Sequence, residues 1–188
     1  MNRKLGFTLI ELIITVALVA IIVTLGVPTF QGMIRNNRII VHTNDFISSL
    51  NLARSEANKR GRRVALCKSD KTDNIITCTT ANNCCTTSTG DWENGWVVFV
   101  DANNNASVDA GDTVLRVHGS WDNGDTLQGN GPMATYISYS PDGFTRLAGS
   151  AAFGAGTMTF GLCDGNNKKN TIVISSTGRA HVEKVACP

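Results

Sequence analysis

Charged residues and proline are both scarce in this chain of 188 residues. Charged residues make up 17% of the chain, below the roughly 25% of an average soluble domain, and their signs nearly cancel. With 17 Lys+Arg against 15 Asp+Glu, a histone-like or acidic-tail protein is excluded. Four Pro and 18 Gly exclude a collagen-like or proline-rich chain, and no repeat with a solenoid or propeller period is present. The low charge implies that part of the apolar content serves something other than a globular core.

Apolar residues are concentrated near the N-terminus. Residues 7–27 form a run of 21 with one charge, Glu11, and a helix of that length spans about 31 Å, enough to cross a bilayer. Arg3 and Lys4 precede the run, and since positive charge stays in the cytoplasm, everything after Val27 is expected outside it. A secretory signal has a shorter apolar region and a small-x-small cleavage site, which this segment lacks. A plain membrane anchor would gain nothing from a carboxylate in its apolar run.

The segment from Lys4 to Leu12, KLGFTLIEL, resembles the prepilin-type signal of type IV pilins and type II secretion pseudopilins. It combines a short basic leader, a Gly before Phe, and a Glu five residues beyond the implied cut. The resemblance implies that an inner-membrane prepilin peptidase cleaves between Gly6 and Phe7 and methylates the new amine of Phe7. It also implies that Glu11 pairs with that amine of a neighbouring subunit during filament assembly. Burying the two charges together costs less than burying either alone.

A second helical pattern follows the apolar run. Buried positions are predicted at spacings of four, three, four, three and four, which is typical of an amphipathic helix with one apolar stripe. We therefore expect one helix from about Phe7 to Arg60, membrane-spanning and filament-forming over residues 7–30 and amphipathic over 31–62. Gly61 is a plausible C-terminal stop. The stripe consists of Ile39, Thr43, Phe46, Leu50, Ala53 and Ala57.

Residues 63–188 are predicted to form a globular β domain. They contain short β-branched or aromatic segments separated by Gly, Asn and Asp turns. Short connections favour antiparallel pairing, and Thr177-Gly178 is a two-residue turn candidate between the last two strands. The fold class is therefore α+β, with the amphipathic helix packed on a mainly antiparallel sheet. The predicted strands are 63–67, 95–100, 113–117, 135–140, 157–163, 171–175 and 179–185.

Several of these segments resemble the GspH/FimT group of minor pilins, especially its FimU-like branch. The resemblance rests on residues 51–57 (NLARSEA), the RVALC, GWVVFVD and VLR strands, and the closing TGRA segment. It implies a pilin fold and a low-copy subunit, not an enzyme, that primes or connects type IV pilus assembly near the filament tip and supports twitching motility. A GspH-like minor pseudopilin of type II secretion is the alternative. In either case, the resemblance implies that residues 1–6 are a leader peptide that is cleaved off.

The same resemblance implies where the chain resides and what it contacts. It would span the inner membrane once, hold its C-terminal domain in the periplasm, and then enter the pilus at or near the tip. Its partners would be the prepilin peptidase, other minor pilins and the major pilin, and no homo-oligomer is expected.

The residues themselves also argue against catalysis and against a cofactor. The three histidines, His42, His118 and His181, have no metal-ligand spacing with cysteine or with each other. No nucleophile elbow, phosphate loop or dinucleotide fingerprint is present.

Six cysteines predict disulfides formed in an oxidising compartment. Cys163 is expected to pair with Cys187, and the other four to pair among themselves. Because adjacent cysteines rarely bridge each other, Cys67 would pair with Cys84 or Cys85, and Cys78 with the other. A four-cysteine zinc site lacks the usual paired CxxC spacing.

The segment from Asp101 to Asp112 is a possible Ca²⁺ loop. Oxygen-bearing side chains fall at the first, third, fifth, seventh, ninth and twelfth places of an EF-hand-like loop. However, Ala106 replaces the turn glycine, Asp112 replaces the longer Glu, and strands flank the loop. The alternative is a metal-free turn, since Asn and Asp favour turns in any case. The candidate ligands are Asp101, Asn103, Asn105, Asp109 and Asp112.

A basic cluster makes DNA a possible partner. Seven Lys or Arg lie between residues 54 and 71, and phosphate contacts require such clusters. FimT-like members that take up DNA carry a C-terminal Gly-Arg-x-Arg motif, which Gly178 and Arg179 match. His181 stands in place of its second Arg and is mostly neutral at pH 7. The alternative is a solvated surface. The candidate contacts are Arg62, Arg63, Arg179, His181 and Lys184.

Overall fold

The computed structural model describes residues 8–69, 85, 92–121, 125–161 and 168–186. The contacts of the chain divide it into two units, Met1–Arg38 and Ile39–Pro188. Helix α1 (Leu9–Arg60) includes residues of both units and confirms the predicted single helix. It ends where predicted, because Gly61 adopts a left-handed φ of 62° that a helix cannot continue.

In the first unit, the large apolar side chains from Leu9 to Ile34 are exposed. Within the described residues, α1 alone contains a stretch long and apolar enough to cross a membrane. An apolar surface of this kind is stable in lipid or against other apolar helices, but not in water. The segment therefore fits a membrane anchor.

In the second unit, α1 buries the predicted apolar stripe, all six residues of it. At the centre of the stripe, Phe46 makes edge-on contacts with Trp92 and Trp96, at centroid distances of 5.5 and 5.1 Å, and with Phe160 at 6.1 Å. The indole N–H of Trp96 also donates to the Ser49 hydroxyl at 3.0 Å. Aromatic packing and one buried hydrogen bond thus fix this half of the helix on the domain.

The described residues contain eight strands, and the seven predicted strands are all among them. The additional strand has three residues and lies in a Gly-rich stretch that gave no strand signal. Two short 3₁₀ helices span Trp92–Asn94 and Gly131–Ala134. The strands are β1 (Val64–Lys68), β2 (Trp96–Val100), β3 (Thr113–His118), β4 (Leu127–Gly129), β5 (Tyr136–Tyr139), β6 (Gly156–Phe160), β7 (Lys168–Ile174) and β8 (Ala180–Ala186).

These strands form two antiparallel sheets rather than one. Their orders are β3-β2-β1-β5 and β4-β6-β7-β8. One buried cluster contains Leu66 and Val98 of the first sheet, Met158 and Ile172 of the second, and the apolar residues of the α1 stripe. The helix therefore packs on a core to which both sheets contribute, which confirms the α+β pilin architecture.

The first sheet is also covered on its other face. All residues of β1 and β2 are buried, and a second apolar cluster joins Cys67, Val97 and Phe99 to Val108. Val108 belongs to the loop between β2 and β3. That loop is therefore part of the domain's packing.

The turn between β7 and β8 includes Thr177-Gly178, as predicted, but has three residues between the hydrogen-bonded Ser175 and Arg179. The Gly178 N–H donates to the Ser175 carbonyl at 2.9 Å, and the Ser175 N–H donates to the Arg179 carbonyl at 3.0 Å. Gly178 has a φ of 77°. This is the geometry of a hairpin turn that ends in a left-handed glycine bulge.

Candidate functional site

Thr8 and Glu11 meet at the start of α1. The Thr8 backbone N–H and hydroxyl both donate to Glu11 Oε2, at 3.0 and 2.9 Å, and the Glu11 N–H donates to the Thr8 hydroxyl at 3.3 Å. This reciprocal capping box pairs donors that the helix start would otherwise leave unpaired. The Glu11 side chain is exposed. Gly6 and Phe7, the predicted processing site, lie outside the described residues.

A disulfide joins Cys67 in β1 to Cys85, one of the two partners that the sequence left open for Cys67. It closes a segment with a sequence separation of 18, and restricting such a segment in the unfolded chain stabilises a fold by about 3 kcal/mol. Cys78, Cys84, Cys163 and Cys187 lie outside the described residues, so their predicted pairings stay predictions.

The carboxylates of the candidate Ca²⁺ loop accept hydrogen bonds from the loop itself. Asp101 accepts the N–H groups of Asn105 and Ala106, at 3.1 and 3.0 Å. Asp112 accepts those of Ala102 and Asp109, at 2.9 and 3.0 Å. Ala106 has a φ of 60°, so the place of the EF-hand glycine does require left-handed backbone. The carboxylates thus organise the turn around its own backbone donors.

Two carboxyl groups of this loop have pKa values that are shifted in opposite directions. Burial raises the pKa of Asp101, although the backbone donors oppose this shift. The side-chain amides of Asn103 and Asn105 hold the pKa of Asp109 below its usual value by donating to it at 2.9 and 2.7 Å. Among the residues that the structure describes, no group of three or more His, Cys, Asp or Glu has metal-binding geometry. Calcium binding and a metal-free turn therefore stay the two interpretations of this loop.

Arg63, one of the candidate DNA contacts, is half-buried and forms hydrogen bonds within the domain. Its two terminal nitrogens donate to the carbonyls of Leu147 and Ser150, each at 2.9 Å. The guanidinium thus ties the start of β1 to the loop after β5, and these donors are not available to phosphate.

The other predicted DNA contacts lie on the surface. Arg62, Arg179 and Lys184 are exposed. His181 is exposed too, but its Nε2 lies 3.0 Å from Glu183 Oε1, so an acidic group accompanies it. Towards the end of α1, Lys59 and Arg60 pair with the Glu56 carboxylate, at 3.6 and 2.5 Å. The basic cluster is therefore partly neutralised.

The end of α1 touches the turn that carries Gly178 and Arg179. Arg54 Nη2 donates to the Thr177 carbonyl at 3.1 Å. A Cβ atom on Gly178 would fall 2.0 Å from the Gly143 carbonyl oxygen. Glycine is therefore required at position 178 for packing, whatever the neighbouring arginine binds.

Comparison with known protein families gives two matches. The prokaryotic N-terminal methylation motif matches residues 1–27. The family described as type II transport protein GspH matches residues 42–178, well over half of the chain. The chain belongs to the GspH family. This is a family of pilin-type structural subunits. A search of curated proteins by sequence gave no match.

The fold of this GspH-family chain resembles crystal structures of the type IV minor pilin FimU from Pseudomonas aeruginosa strain PAO1. A structure in space group P21 matches with a TM-score of 0.56 and 17% identity, covering 79% of this chain and 90% of FimU. A second, in space group P65, matches with a TM-score of 0.50 and 16% identity, covering 74% and 88%. At these identities the likeness shows the pilin fold alone.

Two contacts of this GspH-family chain were not among the predictions from its sequence. The pattern Thr8-x-x-Glu11 is itself a capping-box signal, so that contact could have been predicted. The stacking of His118 on Trp96, with centroids 3.8 Å apart, had no such signal because it depends on the pairing of β2 with β3. Neither contact forms a nucleophile–base pair.

Proposed function

We propose that this chain is a minor pilin of a type IV pilus that primes or connects assembly of the filament near its tip. The observation that carries the proposal is Glu11, an exposed carboxylate held by Thr8 in the first turn of an apolar helix that starts within a methylation motif. A fixed carboxylate at this point suits pairing with the N-terminal amine of a neighbouring subunit. The exposed apolar surface of the same helix would pass from lipid to contacts with other subunits.

The processing steps follow from the same motif. The prepilin peptidase would cut between Gly6 and Phe7 and methylate Phe7, with the chain spanning the inner membrane once. The domain would then lie in the periplasm, where an oxidising environment suits the Cys67–Cys85 disulfide. Other minor pilins and the major pilin would be its partners after extraction into the filament.

The decisive experiment is deletion of the gene, scored in parallel for surface pili and twitching, natural transformation, and protein secretion. We expect pili and twitching to be lost or strongly reduced, and to be restored by the wild-type gene. Loss of secretion with normal pili would contradict the proposal and indicate a type II secretion pseudopilin.

DNA binding during transformation is a second candidate. It is favoured by the contact of Arg54 with the Thr177 carbonyl, which brings a helix cation next to the turn that carries exposed Arg179. Lys184, on strand β8 that follows this turn, is also exposed. The test is a mobility shift in low salt with wild type and Arg179→Gln. A shift weakened by the substitution and by added salt would support the candidate. No shift, or one indifferent to the substitution, would remove it.

A further inference from the structure

Strand β8 is an edge strand whose side chains are exposed on both faces of the sheet. In the described part of the chain it pairs with β7 alone, along its whole length. Every side chain from His181 to Ala186 is exposed, including Val182 and Val185, with exposed fractions of 42% and 38%. An open edge of this length offers unpaired backbone groups to a further strand.

The hydrogen-bonding pattern between β7 and β8 identifies the residues of β8 whose backbone N–H and C=O groups point outward, away from β7. Ser175 donates to the Arg179 carbonyl, and the register of β7 and β8 places these two residues opposite each other. Residues that bond the partner strand alternate with residues whose N–H and C=O point away from it. The outward set is therefore Ala180, Val182, Lys184 and Ala186.

We propose that β8 pairs antiparallel with β8 of a second copy of this chain, which joins two four-stranded sheets across a two-fold axis. Such an axis must pass between one residue and its own copy. Centred on Val182, it places Val182 opposite Val182, His181 opposite Glu183, and Ala180 opposite Lys184. This pairing goes beyond the proposed assembly role, and it differs from the sequence-based expectation that no homo-oligomer forms.

Charge selects this register over the two registers centred further towards the C-terminus of β8. Moving the axis by one residue places Glu183 opposite Glu183, and moving it by two places Lys184 opposite Lys184. Directly opposed like charges destabilise a strand pair, whereas opposite charges and apolar pairs stabilise it. Only the Val182 register, among these three, combines an apolar pair with two imidazole–carboxylate pairs. The strand is thus complementary to itself.

The apolar N-terminal helix also favours self-association. Two copies held in one membrane face each other at a much higher effective concentration than two copies free in solution. The membrane therefore increases the fraction of chains that pair through this short strand interface.

The first test is the oligomeric state of the full chain in detergent, measured by light scattering over a concentration series. We expect wild type to dimerise and Val182→Pro to weaken dimerisation roughly ten-fold or more, because it removes an outward N–H donor. The matched control, Val182→Thr, keeps that donor and should still dimerise. A wild type that stays monomeric at every concentration would overturn the proposal, as would a Val182→Pro chain that dimerises as wild type does.

The second test is cross-linking in membranes, which does not depend on how well Val182→Pro folds. Opposed residues of a hydrogen-bonded antiparallel pair have Cα atoms about 5.5 Å apart, a distance that suits a disulfide. We expect Val182→Cys to form a disulfide-linked dimer under mild oxidation, beyond any seen for wild type. Lys184→Cys, whose partner would be Ala180, should not. Cross-linking of Lys184→Cys in place of Val182→Cys would overturn the proposed pairing.

Discussion

His118 lies flat against Trp96, with ring centroids 3.8 Å apart and planes inclined by 6°. Burial of the imidazole lowers its pKa below the ordinary 6.5, and the nearby Arg116 and His42 act in the same direction. The Gly119 carbonyl at 2.8 Å from Nδ1 and the Asp45 carboxylate at 3.9 Å from Nε2 oppose the shift. The folded protein therefore favours a neutral imidazole at this position.

The lowered pKa of His118 predicts a loss of stability below about pH 6.5. The folded pKa of His118 is the lower one, so the unfolded chain takes up the proton first as the pH falls. The contribution of His118 to the free energy of unfolding is therefore complete above 6.5 and declines as the pH falls towards the folded pKa. Urea unfolding at pH 7.5 and 5.5 measures it. His118→Phe keeps a stacked ring without the proton, and an equally steep pH dependence in that variant would contradict the prediction.

We expect Glu11 to act through its negative charge as well as through the capping box that it forms with Thr8. Glu11→Ala should still be processed at Gly6 but should enter the filament poorly. Glu11→Gln can keep the capping box with Thr8 but cannot neutralise an amine, so we expect it to be impaired as well. Immunoblots of leader cleavage and of sheared pili measure the two steps. Normal incorporation of Glu11→Gln would show that capping alone is required.

Gly178 is expected to tolerate no side chain. Gly178→Ala combines a positive φ with a close approach to the Gly143 carbonyl, so a loss of about 2 kcal/mol or more in the free energy of unfolding is expected. Gly61 is a matched control, since its φ is also positive but nothing lies within 4 Å of its Cβ position. Gly61→Ala should cost only about 1 kcal/mol. Equal losses in the two variants would show that the contact with Gly143 has no effect.

Two adjacent arginines should behave differently. Arg63→Ala loses two hydrogen bonds to loop carbonyls and should destabilise the domain by about 1–2 kcal/mol. Arg62→Ala changes an exposed side chain and should stay within about 0.5 kcal/mol of wild type. Chemical denaturation of both variants measures the difference. If the protein binds DNA, a mobility shift should rank the two variants in the opposite order. Arg62→Ala should bind DNA more weakly than Arg63→Ala when equal amounts of folded protein are compared.

The loop between Asp101 and Asp112 is expected to hold its shape without metal. Its carboxylates already accept backbone and side-chain donors, so adding EDTA should leave the melting temperature unchanged. A fall in melting temperature on chelation, reversed by Ca²⁺ but not by Mg²⁺, would contradict this expectation and support the calcium interpretation.

The sequence predicted most of the fold because its signals are local. The helix, its buried stripe and seven strands follow from spacing, β-branched content and turn residues. Strand β4 has three residues and is defined by its pairing with β6, which no local pattern encodes. The division into two sheets depends on β1 pairing with β5, and this pairing joins segments far apart in the chain.

The site residues were predictable to different degrees for the same reason. The Thr8–Glu11 contact lies within one helical turn and has a recognisable pattern. The role of Arg63 does not, because its acceptors are carbonyls in a loop 84 and 87 residues away. In the sequence, Arg63 is indistinguishable from the exposed Arg62 beside it.

The aromatic packing around Phe46 has a spectroscopic consequence. The chain has three tryptophans, and all of them lie where α1 meets the domain. Trp92 and Trp96 contact Phe46, and Trp121 stacks on His42 with centroids 4.1 Å apart. The intrinsic fluorescence of this protein is therefore a built-in reporter of helix docking, which makes the separation of α1 from the domain observable without any added label.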